Sequence, residues 1–191
     1  MSLHIIGGKF QNRKLKTAKN LQLRPTMSML REAVFNICQN YIENARFLDL
    51  FAGSGAMGME AISRGASYAV CVEKDNQCIR VIEQNISMLQ IEDQMHAIKG
   101  NVFKILKNLD GSFDIIYIDP PYELYEEQEK KIFDLLQELT DKNLLNAKAS
   151  VFLEGPYTKS KLVKPYDFPA YAQMSARKVG KSILYEYQFL K

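Results

Sequence analysis

Phe47-Leu-Asp-Leu-Phe-Ala-Gly-Ser-Gly-Ala-Met-Gly58 joins a short apolar run to a glycine-rich loop. The apolar run predicts a buried strand, and the residues from Ala56 onward predict a helix. Gly53, Gly55 and Gly58 fit the spacing G-x-G-x-x-G, in which glycine lets the backbone turn sharply and approach a ligand closely. The pattern therefore predicts a cofactor loop, which by itself fits either a dinucleotide or S-adenosylmethionine (SAM).

Strands and helices alternate along the chain on both sides of this loop. The predicted strands are Arg46–Leu50, Tyr68–Glu73, His96–Gly100, Phe113–Ile118 and Ala149–Glu154, and the predicted helices between them are Ala56–Ser63, Asn76–Leu89, Val102–Leu109 and Glu126–Thr140. This alternation is typical of an α/β fold with a mostly parallel sheet covered by helices on both faces. Two extended runs, Tyr171–Lys178 and Ile183–Leu190, flank a glycine turn and predict a C-terminal antiparallel hairpin at the sheet edge.

The N-terminal residues differ from this pattern. Leu3–Ile6 and Arg13–Lys16 are strand-like and are separated by turn residues, which predicts a β-hairpin arm over residues 1–22. A helix is expected from Met27 to about Ile42, because apolar residues recur there at helical spacing. A chain of 191 residues is long enough for one domain, and we expect a single domain with the arm as its extension.

Charge is distributed unevenly along the chain, although the net charge is only +3. No acidic residue precedes Glu32, and the C-terminal part is basic again. This asymmetry favours a face that binds a polyanion such as a nucleic acid, with a solvated basic arm as the alternative interpretation. The candidate RNA-binding residues are Lys9, Arg13, Lys14, Lys16, Arg177 and Lys178.

Composition excludes several classes of protein. No apolar run approaches the roughly 20 residues that span a bilayer, and the first residues lack the apolar segment of a signal peptide. We therefore expect a cytoplasmic protein, and a monomer by default. The three cysteines form no C-x-x-C pattern and are expected to be buried reduced thiols. The two histidines are far apart in sequence, so no metal site is expected.

Two acidic residues favour SAM as the cofactor. Asp49 lies inside an otherwise apolar strand, where a carboxylate is costly unless it is paired. The ammonium group of SAM would offset that cost, whereas a pyrophosphate would increase it; amides of the loop are an alternative partner. Glu73 ends the second strand about twenty residues later, where an acid can accept both ribose hydroxyls. Asn101 follows the third strand and is expected to accept the adenine amino group, to cap a helix, or to do both.

Asp119-Pro-Pro-Tyr122 follows the fourth strand, at the same edge of the sheet as the glycine loop. The two prolines stiffen the turn and remove two amide donors, which leaves the Asp119 carboxylate and the Pro120 carbonyl as acceptors. Together they can take both N–H bonds of an exocyclic amine and direct its lone pair at a methyl donor, while Tyr122 stacks on the base. The candidate catalytic residues are therefore Asp119, Pro120, Pro121 and Tyr122.

These motifs give the chain a resemblance to a known family. Asp49-x-Phe51-x-Gly53-x-Gly55 with Asp119-Pro-Pro-Tyr122 resembles the SAM-dependent amino methyltransferases. The whole chain is similar to the RsmD family of bacterial 16S ribosomal RNA guanine-N2 methyltransferases. The additional matching pieces are Ile5-Ile-Gly-Gly-Lys9, Arg13-Lys-Leu15, Leu23-Arg-Pro-Thr26, Arg31-Glu-x-x-Phe-Asn36, Glu60-Ala61, Ser63-Arg64-Gly65-Ala66 and Arg177-x-x-Gly180.

The resemblance implies a class I SAM-dependent methyltransferase (Rossmann-like) fold with a seven-stranded sheet. It also implies SAM as the methyl donor and a guanine of 16S rRNA, naked or in the assembling 30S subunit, as the target. By this resemblance Arg24 and Thr26 would lie near the methionine part of SAM, Glu73 would hold the ribose, and Asn101 with Val102 would contact the adenine. The full set of expected cofactor-binding residues is Arg24, Thr26, Asp49, Phe51, Gly53, Gly55, Glu73, Lys74, Asn101 and Val102.

Three other functions remain compatible with parts of the sequence. Adenine-N6 methylation of DNA or RNA uses the same tetrapeptide, because both target amines are exocyclic on a ring. A nicotinamide oxidoreductase is suggested by the glycine loop with Glu73 and by the Tyr157-x-x-x-Lys161 pair, although that pair is a weak pattern. A non-catalytic RNA-binding protein would account for the basic arm, but it would leave Asp119-Pro-Pro-Tyr122 without a role.

Overall fold

A computed structural model describes residues 2–18, 25–121, 123–127, 129–157 and 170–191. Within these residues the strands form a small sheet and a large one. The strands of the small sheet are β1 (Leu3–His4) and β2 (Lys14–Leu15); those of the large sheet are β3 (Arg46–Leu50), β4 (Tyr68–Glu73), β5 (Met95–Lys99), β6 (Phe113–Ile118), β7 (Leu145–Pro156), β8 (Tyr171–Val179) and β9 (Ser182–Phe189).

The large sheet has the strand order β5-β4-β3-β6-β7-β9-β8. Strands β3 to β7 pair in parallel, and β9 pairs antiparallel with both β7 and β8. This arrangement confirms the predicted mostly parallel sheet with a C-terminal antiparallel hairpin. Strand order reverses on the two sides of β3, so the carboxyl ends of β3, β4 and β6 border one crevice, which is where open α/β sheets bind ligands.

Helices cover both faces of the sheet. They are α1 (Pro25–Ile37), α2 (Ala56–Ser63), α3 (Asn76–Leu89), α4 (Val102–Ile105), α5 (Glu123–Glu127) and α6 (Glu129–Asp141). None of the helices among the described residues is long and apolar enough to cross a membrane. Residues of α1, α2 and α3 pack on one face, around Phe35, Met59 and Ile82, and residues of α6 pack on the other, around Leu135 and Leu136.

Several boundaries differ from the sequence prediction. The first helix ends at Ile37 and continues as a 3₁₀ turn over Cys38–Asn40, whereas the apolar pattern predicted helix to about Ile42. The predicted helix Glu126–Thr140 corresponds to two helices, α5 and α6, of which α5 already begins at Glu123. Strand β7 starts at Leu145, before the predicted Ala149. The Tyr41 N–H donates to the Cys38 carbonyl at 3.0 Å and closes the 3₁₀ turn, a change that apolar spacing alone does not signal.

The N-terminal arm, which contains β1 and β2, is fastened to the domain through buried polar side chains. Both carboxylate oxygens of Glu60, which is fully buried in α2, accept backbone N–H groups of Ile6 and Gly7 at 2.8 Å. Asn85 in α3 makes two bonds to the backbone of Lys16, accepting one and donating the other. The arm is therefore a specific part of the fold, because each of these buried groups would be costly without its partner in the arm.

Candidate active site

A cavity of about 910 Å³ opens at the carboxyl ends of β3, β4, β6 and β7. This volume is within the range of small-molecule and cofactor sites. The predicted residues that line it are Asp49, Phe51, Gly53, Glu73, Lys74, Asn101, Val102, Asp119, Pro120 and Pro121. The structure therefore brings these cofactor and catalytic candidates to one cavity, whereas Gly55 is buried and is not part of its lining.

The glycine loop adopts left-handed backbone conformations that connect β3 to α2. Gly53 and Gly55 have φ of 52° and 72°, and Phe51 has φ of 70°, which is strained for a residue with a side chain. A Cβ atom on Gly58 would lie 2.6 Å from the Cys71 sulfur, so this glycine lets α2 pack closely against β4. The loop is therefore shaped by its glycines as predicted, and the strain at Phe51 adds a feature that is common at functional sites.

Asp49 is the most unusual group in the cavity wall. Its side chain is 1% exposed, its Oδ2 accepts a weak bond from the Cys71 thiol at 3.7 Å, and its Oδ1 has no hydrogen-bond partner among the described residues. Burial raises the pKa of Asp49 from 3.8 to about 7, although the Cys71 bond opposes the rise. A buried carboxylate oxygen without a partner that lines a cavity is an acceptor for a cationic or donor group of a ligand, and the ammonium group of SAM fits it.

Glu73 binds the loop backbone while still lining the cavity. Its Oε2 accepts the Gly53 N–H at 2.8 Å, and its Oε1 accepts the N–H groups of Lys74 and Asp75 at 2.7 and 2.8 Å. A carboxylate offers about four acceptor positions, so these three bonds leave about one position, enough for a single ribose hydroxyl. Glu73 therefore holds the glycine loop in place, a structural role that the sequence did not reveal, and its contact with a ribose remains a prediction.

Asn101 begins α4 as its N-cap. Its Oδ1 accepts the Phe103 N–H at 3.0 Å, which is the capping bond expected from the sequence. Phe103 and Phe51 meet edge to face, with ring centroids 6.0 Å apart, and both line the same part of the cavity. Aromatic rings there suit a flat adenine ring, and adenine contact by Asn101 and Val102 stays a prediction.

The candidate catalytic tetrapeptide begins with Asp119, directly after β6. The Asp119 N–H lies 3.5 Å from the Leu50 carbonyl, so the turn stays close to the end of β3 and its glycine loop. Asp119 is half-buried, Pro120 is buried and Pro121 is exposed. Asp119 and Pro120 therefore stand at the cavity wall next to the candidate cofactor site, as methyl transfer between two ligands requires.

Some of the predicted site residues lie outside the described part of the chain. Arg24 and Tyr122 are not described, and for Thr26 only the backbone within α1 is described. The same applies to Lys161 of the weak Tyr-x-x-x-Lys pattern. Their assigned roles therefore remain predictions.

Two residues that were not predicted from the sequence, Tyr117 and Glu154, also line the cavity. Tyr117 in β6 donates its hydroxyl to Glu154 Oε2 at 2.9 Å, and Ser182 donates to Glu154 Oε1 at 2.6 Å. Tyr117 and Glu154 line the cavity although they are only 4% and 2% exposed. Burial and the charges of Asp119 and Glu154 raise the pKa of Tyr117 well above its usual value, so its phenol remains a proton donor. The sequence signal for this pair was polar atoms in two otherwise apolar strands.

The basic residues predicted to bind RNA occupy two exposed regions. Lys9, Arg13, Lys14 and Lys16 lie on the arm, where the Lys9 backbone N–H donates to Ser63 at the end of α2 that is remote from the glycine loop. Arg177 and Lys178 lie on β8 and pair with residues of β9. Those residues of β9 pair in turn with the cavity end of β7. The two regions are exposed as a phosphate-binding surface requires, and RNA contact remains a prediction.

Solved structures define the class of fold. The chain matches a structure described as a putative methyltransferase, yhhF, from Escherichia coli with a TM-score of 0.84, 27% identity and coverage of 100% of this chain and 99% of the other. A putative methylase, HI0767, from Haemophilus influenzae matches with a TM-score of 0.79, 25% identity and complete coverage of both chains. With the strand order and the glycine loop, these matches define the fold as that of a class I methyltransferase.

The sequence comparisons identify the family. A family model described as Conserved hypothetical protein 95 matches residues 3–188. Ribosomal RNA small subunit methyltransferase D of Buchnera aphidicola (subsp. Baizongia pistaciae) is 33% identical over 165 residues, covering 86% of this chain and 81% of the relative. The putative rRNA methyltransferase YlbH of Bacillus subtilis is 30% identical over 167 residues, covering 84% and 90%. The chain therefore belongs to the family of ribosomal RNA small subunit methyltransferase D, which confirms the resemblance seen in the sequence.

Proposed function

We propose that this protein transfers a methyl group from SAM to the exocyclic N2 amine of a guanine in 16S rRNA, either free or in the assembling 30S subunit. The observation that carries the proposal is the juxtaposition in one cavity of Asp49 and the glycine loop with Asp119 and Pro120. The family membership and the names of the relatives support the RNA substrate. We expect the enzyme to act in the cytoplasm as a monomer.

The roles proposed for the cofactor side are supported by the site geometry and, for Arg24 and Thr26, by the family resemblance. Bound SAM would supply an electrophilic methyl group on a sulfonium. Asp49 would accept the ammonium group through its unpartnered Oδ1, and Glu73 would accept one ribose hydroxyl while it holds Gly53. Asn101 and Val102 would border the adenine. Arg24 and Thr26 would lie near the methionine part, as the resemblance implies.

The roles proposed for the substrate side concern one nitrogen atom. The Asp119 carboxylate and the Pro120 carbonyl would accept the two N–H bonds of the amine, which aligns the nitrogen lone pair with the methyl group. Tyr122 would stack on the flipped base, and Pro121 would keep the turn rigid. A strong base is unnecessary, because the nitrogen becomes acidic only after the new N–C bond forms, and Asp119 is then placed to receive the proton.

The decisive test is methyl transfer from labelled SAM. Purified protein would be incubated with 16S RNA and with 30S particles that lack this modification. The proposal predicts that label enters 16S RNA in at least one of these assembly states. Failure to label either substrate would overturn the proposed function.

A further inference from the structure

We propose that Glu154 reads the target base, by accepting the N1–H of a guanine whose N2 amine is held by Asp119. This inference rests on the proposed function and adds the residue that would select guanine over adenine. It assigns a role in substrate choice to a buried carboxylate that neither the glycine loop nor the catalytic tetrapeptide requires.

The position of Glu154 places it beside the catalytic acid. Strands β6 and β7 pair Tyr117 with Phe152 and Ile118 with Leu153. One residue further along both strands, the same register places Asp119 beside Glu154. Because side chains alternate along a strand, both acids lie on the same face of the sheet as Tyr117. The charges of both acids act on Tyr117, and both residues line the cavity. Two carboxylates therefore stand side by side at the substrate end.

Glu154 is also on the correct side of the catalytic turn to contact substrate. The glycine loop and Glu73 follow β3 and β4, which lie on one side of β6. Glu154 lies near the carboxyl end of β7, on the other side of β6. A cofactor held at the glycine loop is therefore separated from Glu154 by the catalytic turn, whereas a base whose amine is bound at that turn is next to Glu154.

Hydrogen bonding keeps the Glu154 carboxylate fixed but not saturated. Each of its oxygens accepts one hydroxyl, from Tyr117 and from Ser182. Because a carboxylate has about four acceptor positions, it retains capacity for a further donor from the cavity. Its orientation is set by two strands, which gives the rigid support that selective recognition needs.

The chemistry of the two purines then decides the selection. Guanine presents two donors side by side, the N2 amine and N1–H, and these match the two neighbouring carboxylates. Adenine presents its amine beside N1, which is a hydrogen-bond acceptor. The N1 lone pair would therefore face the Glu154 carboxylate. A buried acceptor left opposite another acceptor is strongly unfavourable, and sites built on such hydrogen bonds reject analogues that lack them.

The test uses 2-aminopurine, which keeps the 2-amino group but has no N1–H. It would be placed at the mapped target position of ligated 16S RNA, and kcat/KM would be compared with that of the guanine substrate. We expect the wild-type protein to prefer guanine by about 100-fold. In Glu154→Gln the ratio of kcat/KM for guanine to kcat/KM for 2-aminopurine should fall by about tenfold or more, because the amide can donate to the N1 of 2-aminopurine.

The control variant is Glu186→Gln on β9, since Glu186 accepts a hydroxyl from Ser175 at 2.8 Å and does not line the cavity. Its ratio should equal that of the wild type. A wild-type preference below tenfold, or an unchanged ratio in folded Glu154→Gln, would overturn the inference while leaving guanine methylation intact. If Glu154→Gln does not fold, the wild-type ratio still decides. Absence of any methylated guanine would instead overturn the proposed function and this inference together.

Discussion

Asp49 is buried at a position where its ionised form is costly. Its Oδ1 is buried without a partner among the described residues, and burial raises its pKa to about 7. At pH values between the unfolded pKa of Asp49, about 4, and its folded pKa, the folded state binds more protons than the unfolded state. The contribution of Asp49 to stability is therefore lost progressively as the pH rises through this window. A ligand cation at Oδ1 would offset the cost of the ionised form.

The substitution Asp49→Asn separates stability from cofactor affinity. We expect it to raise the melting temperature at pH 7.5 by about 3 °C or more, because an uncharged amide avoids the cost of a buried carboxylate. SAM affinity should fall by about tenfold or more, because the partner of the ammonium group is lost. Differential scanning calorimetry and titration calorimetry measure the two effects.

The pH dependence of binding is the control for this prediction. SAM affinity of the wild type should rise by about tenfold from pH 5.5 to pH 7, as Asp49 ionises, and the Asp49→Asn affinity should stay flat. Equal affinities of the two proteins at pH 7 would contradict the assignment of Oδ1 to the ammonium group.

Asp119 should affect chemistry and not cofactor binding. Replacing it by Ala removes an acceptor for the target amine, and we expect turnover to fall by about 1,000-fold or more. SAM affinity should stay within about twofold, because the expected cofactor contacts belong to the glycine loop, Glu73 and Asp49. Single-turnover methyl transfer and titration calorimetry on the same preparation would measure both. Turnover close to that of the wild type would refute the catalytic role.

At the scale of secondary-structure elements, the sequence predicted the parallel sheet well because its strands are continuous apolar runs. The bounds of β3, β4, β6, α2 and α3 match the prediction residue for residue. The C-terminal end of α1 was missed, because Ile42 is buried beyond the helix and continues the apolar spacing. Apolar periodicity reports burial, and it locates an element end only where a cap or breaker is present.

The site was predictable where a residue is marked by local sequence. Asp49, Glu73, Asn101 and Asp119 all follow or interrupt apolar strands, and all line the cavity. Glu154 could not be assigned in the same way, because its meaning depends on β7 lying beside β6. That neighbour relation is a property of the folded sheet.

The arm is expected to use its exposed charges for RNA and its backbone for attachment to the domain. Reversing two charges, Arg13→Glu with Lys14→Glu, should weaken RNA binding and lower the magnitude of its log-log salt slope by about 2, one for each lost phosphate contact. SAM affinity should not change. Filter binding at several salt concentrations would measure the slope.

The matched control reverses Lys142 and Lys148, which are exposed near the opposite end of β7 from the cavity. These changes alter net charge by the same amount, and RNA binding should weaken much less. Equal losses of RNA affinity in the two double variants would show that net charge, and not the position of the arm residues, governs binding. A parallel loss of SAM affinity in the arm variant would show that the arm charges serve the fold.

At the scale of the whole molecule, cofactor choice is open to a direct comparison. A ligand that binds only the folded state stabilises it by mass action. S-adenosylhomocysteine at 100 times its dissociation constant should add about 2.7 kcal/mol, which corresponds to a rise in melting temperature of several degrees. NAD and NADP should leave the melting temperature unchanged, because a pyrophosphate would face Asp49. A shift with NAD or NADP alone would favour the oxidoreductase interpretation.

The central claim is that one cavity joins SAM to a guanine amine of small-subunit ribosomal RNA. The most direct measurement is mass spectrometry of nucleosides from 16S RNA after reaction with isotopically labelled SAM. We expect labelled N2-methylguanosine from the wild-type protein and, at the same reaction time, no detectable amount from Asp119→Ala. Labelled N6-methyladenosine in its place, or labelled N2-methylguanosine from both proteins alike, would contradict the central claim.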